Sequence, residues 1–529
     1  MEDRPNNVHR YLPIIFALVL AAGILIGLKL PNKHRNTKYD KIGDVINLVM
    51  QNYVDSVDTE TLKAKAISGM LEGLDPHSVY IPAAEFNEAN DPLLGKFEGI
   101  GVQFRLQKDT IMVITPVVGG PSEKVGVRAG DRIVTVDGVK VAGVKIKDTD
   151  VMKKLKGPKG TKVRVGIIRR GIAHPIEFTI IRDVIPTYSI DVSYMVDNET
   201  GYIKLSKFSE TSHEEFIDAM MTLKDKGLKK LILDLRGNGG GYLQIAIRLA
   251  DEFLSEGKMI VYTEGRNQKK RESLATSRGM FENSPLVVLI DELSASASEI
   301  ISGAIQDNDR GLIIGRRSFG KGLVQEQYFL SDSSAVRLTI ARYHTPTGRC
   351  IQRSYKNGTE DYLNELNQRF TSGELENPDL TKFADSLKYK TPKGKIVYGG
   401  GGIMPDIYVP IHTDKKLEYY NAVSNKGIIY QYSFDYVDKY RTELSKYKSS
   451  DDFIKRFVID QTILNDFKNY AEKNGVKDIV MDAESLKKIT IHLRAYIGRN
   501  LFDDKCFYPI YLSSDPTFLK AVEEIKKMK

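Results

Sequence analysis

Residues 229–241 read "KKLILDLRGNGGG". The run to Leu235 is a continuous apolar strand, and "RGNGGG" ends it in a turn with almost no side chains. A helical stretch follows from Tyr242 to Leu254. The same grammar returns at residues 284–307. There "SPLVVLIDEL" is a second buried strand, and the small residues of "SASASEIISGAIQD" open another helix. "RGLIIG", residues 310–315, supplies a third strand. Strands alternating with helices over residues 185–412 argue for an α/β core. Two small-residue turns at the C-terminal ends of neighbouring strands should converge on one crevice.

Around this core the 529-residue chain has room for three or four domains. Its 77 basic and 69 acidic residues leave a net charge of +8, spread thinly along the sequence. That distribution argues against a nucleic-acid partner. Cys350 and Cys506 form no C-x-x-C pair and there is no H-E-x-x-H, so nothing calls for a metal or another cofactor. One disulfide or two lone thiols both remain open.

Tyr11 to Leu28, "YLPIIFALVLAAGILIGL", is 18 residues without a charge, long enough to cross a bilayer. "LAAG" is a weak cleavage site, so the span reads as an uncleaved anchor. Arg4 and Arg10 precede it, whereas Lys29, Lys33, Arg35, Lys38 and Lys41 follow. By charge alone, the bulk of the chain would be cytoplasmic.

Residues 39–90 read as helical. Ile42, Val45, Ile46, Val49 and Tyr53 form one apolar stripe expected to pack, and the prolines of "LDPHSVYIP" (74–82) break the pattern. From about Lys96 the period shortens to strands: "GIGVQFRL", "TIMVITPV", "DRIVTVDGV" and "TKVRVGIIRRG". Asp137-Gly138 marks a hairpin. This stretch resembles a PDZ domain. "GIGV", Gly99, Ile100, Gly101 and Val102, lies where that family binds a terminal carboxylate through converging backbone N–H groups, while the peptide adds as a strand.

Lys321 in "GLIIGRRSFGKGLVQEQYF" (311–329) has three claimants. A phosphate loop, G-x-x-x-x-G-K, needs Ser or Thr next and then a helix; Gly322 and a strand-like "LVQEQYF" follow instead. An S-x-x-K dyad from Ser318 needs a rigid helical turn, which Gly320 and Gly322 disfavour. The third claimant is a serine elsewhere. "SASASE" begins a helix after a buried strand, so a serine there feels the positive helix end, with an N–H aimed at a developing oxyanion. "RGNGGG" offers a second donor.

The ordered set of a PDZ-like segment, "DLRGNGGG", "SASASEI", "SFGKGLVQ" and "YHTPTGRCIQ" is similar to the C-terminal processing (tail-specific) peptidases over roughly residues 40–412. The resemblance implies Ser296 as nucleophile, Lys321 as general base, Gln325 as its companion, and the backbone N–H groups of Gly241 and Ala297 as the oxyanion hole. It implies a crotonase/ClpP-like α/β protease core and a catalytic part outside the cytoplasmic membrane, a placement preferred here over the charge count. A lysine base needs help. At pKa near 10.4 only about 0.04% is neutral at pH 7, and reaching roughly 7–8 requires burial costing the charged form about 3–5 kcal/mol. Phe319, Leu323 and Val324 supply apolar surroundings, and no carboxylate lies within the four preceding residues. His344 reads as structural, Asp234 as a pairing or capping group, His77 as packing, and "RNQKKRES" (266–273) as solvated surface.

The expected organisation is a tail (1–10), a transmembrane anchor (11–30), a helical region (31–95), a PDZ domain (96–184), a protease core (185–412) and a helical extension of no evident chemistry (413–529). The expected function is a serine endopeptidase of the inner membrane, its catalytic part periplasmic, acting on protein substrates with free C-terminal tails. The sequence does not settle self-association or adaptors. A catalytically silent tail-binding scaffold and a nucleotide-dependent protein are the alternatives.

Overall fold

The structure is a computed structural model that describes residues 8–29, 40–107, 109–378, 383–411, 417–477 and 479–528. It divides into two compact units, Met1–Met70 and Leu71–Lys529.

In the first unit, helix Val8–Lys29 contains the uncharged stretch. Among the described residues no helix is long and apolar enough to cross a membrane. Helix Lys41–Asn52 starts at Asp40, whose carboxylate accepts from the Gly43 N–H at 3.0 Å. The apolar stripe is present but not packed: no residue of this helix is buried, and Ile42, Val45 and Tyr53 are exposed. Periodicity specifies a face, not what covers it.

The second unit holds the PDZ fold and the α/β core. Strands Val102–Gln107, Thr110–Pro116, Arg132–Val136, Lys162–Ile168 and Ile176–Ile181 form one antiparallel sheet in the order written, with Val139–Lys140 on Arg132–Val136. Asp137 and Gly138, both at positive φ, turn that hairpin. The inward set Ile111, Val113, Ile133, Val163, Val165 and Ile167 packs on Val151 and Leu155 of helix Asp148–Leu155. Lys96–Gly99 pairs with Asp183–Pro186, so the module enters and leaves through one two-stranded neck.

The core sheet runs Ile190–Met195, Thr200–Leu205, Lys230–Asp234, Leu286–Ile290, Leu312–Gly315, Ile407–Tyr408. The first pair is antiparallel and the rest are parallel. Such a sheet needs both faces covered. Helices Ser212–Asp225, Leu243–Asp251 and Ala297–Asp307 cover one. The second is covered from the far end of the chain: Phe518, Ala521 and Ile525 of helix Pro516–Lys527 pack on Tyr202, Ile232, Val287, Leu289 and Ile314. The C-terminal region is helical, as its periodicity predicts, with its own core around Phe453, Phe467 and Leu493. It is also a layer of the core sheet. Arg236 adds an ion pair to Asp515 at 2.8 Å.

A second sheet is built on Ala335–His344. Leu323–Phe329 pairs along one side, and Val79–Ile81 and Met259–Glu264 along the other. Val79–Ile81 precedes the PDZ module in sequence, so the module is inserted within this fold. Three residues beside a proline carry too little periodicity to reveal that strand. Cys350 and Cys506 are free thiols.

Candidate active site

Ser296 caps helix Ala297–Asp307 with φ 56° and ψ −111°, a backbone region a non-glycine residue enters only under constraint. Glu299 supplies that constraint. Its Oε2 accepts the Ser296 N–H at 2.8 Å and the Lys321 N–H at 2.9 Å; its Oε1 accepts the Gly320 N–H at 2.7 Å and the Ser318 hydroxyl at 2.5 Å. From the other side, the Tyr343 hydroxyl reaches the carbonyls of Ser296 at 3.1 Å and Lys321 at 2.6 Å. One buried carboxylate and one buried phenol thus fix both backbones. Burial raises the Glu299 pKa, and its four donors oppose that rise.

The glycine turn meets the serine turn directly. Asn238 donates to the Leu205 carbonyl, and its own carbonyl accepts from the Ala295 N–H at 3.0 Å and the Ser298 hydroxyl at 2.9 Å. A Cβ on Gly240 would lie 2.8 Å from the Cβ of Ser296, and one on Gly241 would lie 2.0 Å from the Phe208 carbonyl oxygen. Phe208 donates to Gly240 and accepts from Tyr242, so the N–H of Gly241 takes no part in that bridge. Ala297 is the first helical residue, whose N–H belongs to the unpaired helix end.

Ser296, Lys321, Gln325 and Gly239 to Tyr242 line one crevice of about 660 Å³, with His77, Asn90, Gln327 and Arg337. Among the described residues, the Lys321 ammonium has no ion pair, and its nitrogen makes no hydrogen bond, including to Ser296 Oγ. The pKa of Lys321 is lowered, first by burial and then by the Arg337 charge; Glu299 and Asp75 pull it back up. The absence of a carboxylate in the preceding four residues was therefore a poor guide, because Glu299 arrives from another turn of chain. Leu323 and Val324 line the crevice as expected, but Phe319 packs on Arg353 and Tyr362 instead.

Gln325 makes no hydrogen bond to the amine. Its Nε2 donates to Thr339 Oγ1 at 3.3 Å, and Thr339 Oγ1 donates to Asp75 at 3.1 Å. Asp75 also accepts from the His77 and Ser78 N–H groups and the Ser78 hydroxyl. The "DPHSVY" turn therefore belongs to the site. His77 packs edge-on against Tyr362 and bonds its hydroxyl at 2.8 Å, but it also lines the crevice. Burial, then Lys321, lowers its pKa to about 4, which keeps it neutral. Sequence reasoning missed Asp75, Glu299, Arg337, Thr339 and Tyr343. Only Glu299 carried a signal, the S-x-x-E capping pattern from Ser296.

Ser318 is buried and donates to Glu299 while accepting from the Ile403 N–H, which removes it as a nucleophile for Lys321. His344 stacks on Tyr262 and bonds the Gly348 carbonyl. Asp234 is enclosed by Tyr202, Lys204 and Arg236. Both are structural, as read.

A second groove runs beside Ile100 to Phe104, closed by Met152 and Leu155 and flanked by Glu88, Asp91 and Pro92. Gly101 holds φ 71°, and the Ile100 carbonyl is tied to the Ser122 N–H and hydroxyl. Helix Phe86–Leu94 borders both cavities, showing Asn90 and Leu93 to the crevice and Glu88 and Asp91 to the groove.

Residues 199–361 match peptidase family S41, and residues 99–179 match the PDZ domain. Residues 28–84 match the activating protease CtpB N-terminal domain, and 419–503 a family of unknown function, DUF8443. The carboxy-terminal-processing protease of Bartonella bacilliformis is 38% identical over 61% of this chain and 74% of its own length. The chain belongs to peptidase family S41. Carboxy-terminal processing protease CtpA of Bacillus subtilis is 35% identical over 60% of this chain and 67% of its own. The solved photosystem II D1 C-terminal processing protease is 29% identical, covering 58% of this chain and 89% of that one, with a TM-score of 0.34. This S41 member is a serine protease of the carboxy-terminal-processing kind, with a PDZ domain and a helical C-terminal region.

Proposed function

We propose that Ser296 is the nucleophile and Lys321 its general base, and that the PDZ groove at Gly99 to Val102 captures the free C-terminal tail of a protein substrate. The observation that carries this reading is the shared anchoring of the two residues. Glu299 and Tyr343 fix both backbones, while burial and the Arg337 charge lower the pKa of the Lys321 amine against an opposing pull from Glu299 and Asp75.

The neutral amine takes the Ser296 hydroxyl proton as Oγ attacks the scissile carbonyl. The oxyanion meets the N–H groups of Gly241 and Ala297. The peptide C–N bond then breaks, Lys321 passes its proton to the leaving amine, and water hydrolyses the acyl-enzyme by the reverse path. Hydrogen bonds of this type are often long outside the Michaelis complex, so the assignment does not require an Oγ–Nζ bond. Gln325, held by Thr339 and Asp75, shapes the wall beside the amine without adding charge.

Tail-peptide cleavage by wild type, Ser296→Ala, Lys321→Ala and Ser318→Ala tests the assignment. Loss with the first two variants is expected, and retention with Ser296→Ala overturns it. The uncharged stretch Tyr11 to Leu28 supports an inner-membrane anchor, and the placement of the protease outside the cytoplasm rests on the family resemblance, against the charge count. A C-terminal reporter should be degraded by protease added to intact spheroplasts; full protection rejects that placement.

A further inference from the structure

Among the described residues, Arg337 is a cation without a counter-ion at the catalytic crevice. It sits in strand Ala335–His344, opposite Gln327 on one side and Val79 on the other. Its guanidinium donates to the side-chain oxygens of Asn90 and Gln327, both at 3.2 Å and both neutral amides. Among the described residues no carboxylate lies within ion-pair distance of it. Burial lowers its pKa, so the charge is held at a cost that no anion among the described residues offsets. Other half-buried or buried arginines nearby are paired: Arg317 with Glu374, Arg349 with Asp307 and Arg353 with Glu365. Glu326 also lines the crevice, but it accepts from the exposed Tyr328 hydroxyl on its own strand.

Position along the strand says what would meet this charge. Gln325 pairs with Thr339 and Gln327 with Arg337, so these two cross-strand pairs point to one face two residues apart, about 7 Å along the strand. Gln325 of the first pair lies four residues after Lys321, toward the reacting end; the second pair stands one side-chain repeat further along. A peptide lying extended in the crevice would bring a side chain near the scissile bond to Arg337. A guanidinium fork held by two amide oxygens retains donors suited to a carboxylate.

We propose that Arg337 is a specificity-determining residue that docks an acidic side chain of the substrate, Asp or Glu, within about two or three residues of the scissile bond. The proposal rests on Ser296 and Lys321 being the catalytic pair. It makes the preferred substrate a protein whose cleavage region is acidic at one position, independent of the tail carboxylate read by the PDZ groove.

The test is a peptide series with a common C-terminal tail in which Asp, Asn or Lys is stepped through each position around the cleavage site. It is assayed with wild type, Arg337→Gln and Arg337→Glu. Wild type should favour Asp over Asn at one position by about tenfold to a hundredfold in kcat/KM, the scale of a charged hydrogen bond. Arg337→Gln should erase that ratio, and Arg337→Glu should favour Lys at the same position. The ratio within one enzyme is insensitive to how much of Lys321 is neutral. A flat Asp-to-Asn ratio at every position in wild type overturns the inference, as does a preference that survives in both variants. Failure of the catalytic assignment looks different: Ser296→Ala would still cleave the whole series.

Discussion

The PDZ groove and the catalytic crevice both suit an extended peptide, yet they are made of opposite materials. The groove is mainly backbone and apolar surface, with Ile100 to Phe104 and Met152 and Leu155 in its lining and charged groups such as Glu88, Asp91 and Lys156 beside them. The crevice gathers ionisable groups in partial burial, Lys321, Arg337 and His77, around a carboxylate that faces inward, Glu299. Binding a tail needs N–H groups and a pocket. Moving a proton at an amine needs that amine kept out of water, with burial and a neighbouring cation outweighing nearby carboxylates and its neighbours locked so that nothing relaxes to rescue the charge.

The sharpest way to break this comparison is to remove the chemistry and ask whether binding survives. Ser296→Ala and Lys321→Ala should each lower kcat/KM by at least about 10⁴-fold. Tail-peptide affinity, read by fluorescence anisotropy, should stay unchanged. Equal losses in both assays would mean that the two regions are not separable.

The next effect concerns the scaffold of the crevice. Glu299→Gln keeps the size of the side chain but turns an acceptor pair into a donor facing two N–H groups. Urea unfolding should report a loss of about 2–5 kcal/mol, with activity falling alongside. No change in either would show that Glu299 is a bystander.

In the groove, amidating the tail removes the carboxylate. Affinity should fall about tenfold to a hundredfold, while cleavage of short peptides that bypass the groove stays constant. The crevice should instead respond to pH. Lys321 acts as a base only when neutral, so the rate falls as pH drops through its lowered pKa, by about tenfold per unit once mostly protonated. Arg337→Gln removes a cation that disfavours the proton, so the acid limb should move to higher pH. The smallest effect is at the groove mouth, where Lys156 of the PDZ module pairs with Asp91 at 2.9 Å. The pair is partly exposed, so Lys156→Ala should change tail affinity by no more than about fivefold.

Why the strands, turns and candidate residues were legible is itself physical. Apolar runs such as Leu286–Ile290 and side-chain-poor turns such as Gly239 to Gly241 are local properties of the chain, and motif order tied Ser296 to Lys321. The groups that tune them are not local. Glu299 lies 22 residues before Lys321, Asp75 comes from the far side of the PDZ insertion, and Arg337 sits across a hairpin. Helix Pro516–Lys527 was legible as a helix, but its place on the core sheet follows only from the bare second face left by residues such as Ile232 and Leu289. Spacing reveals what a segment wants to become and is silent on which distant segment will meet it.

The protonation of one amine decides the account. NMR titration of the full chain carrying ¹³Cε-lysine, with Lys321→Arg used to assign the resonance, reads it directly. The account predicts that Lys321 titrates below the ordinary lysine value of 10.5. Titration at or above that value would contradict it.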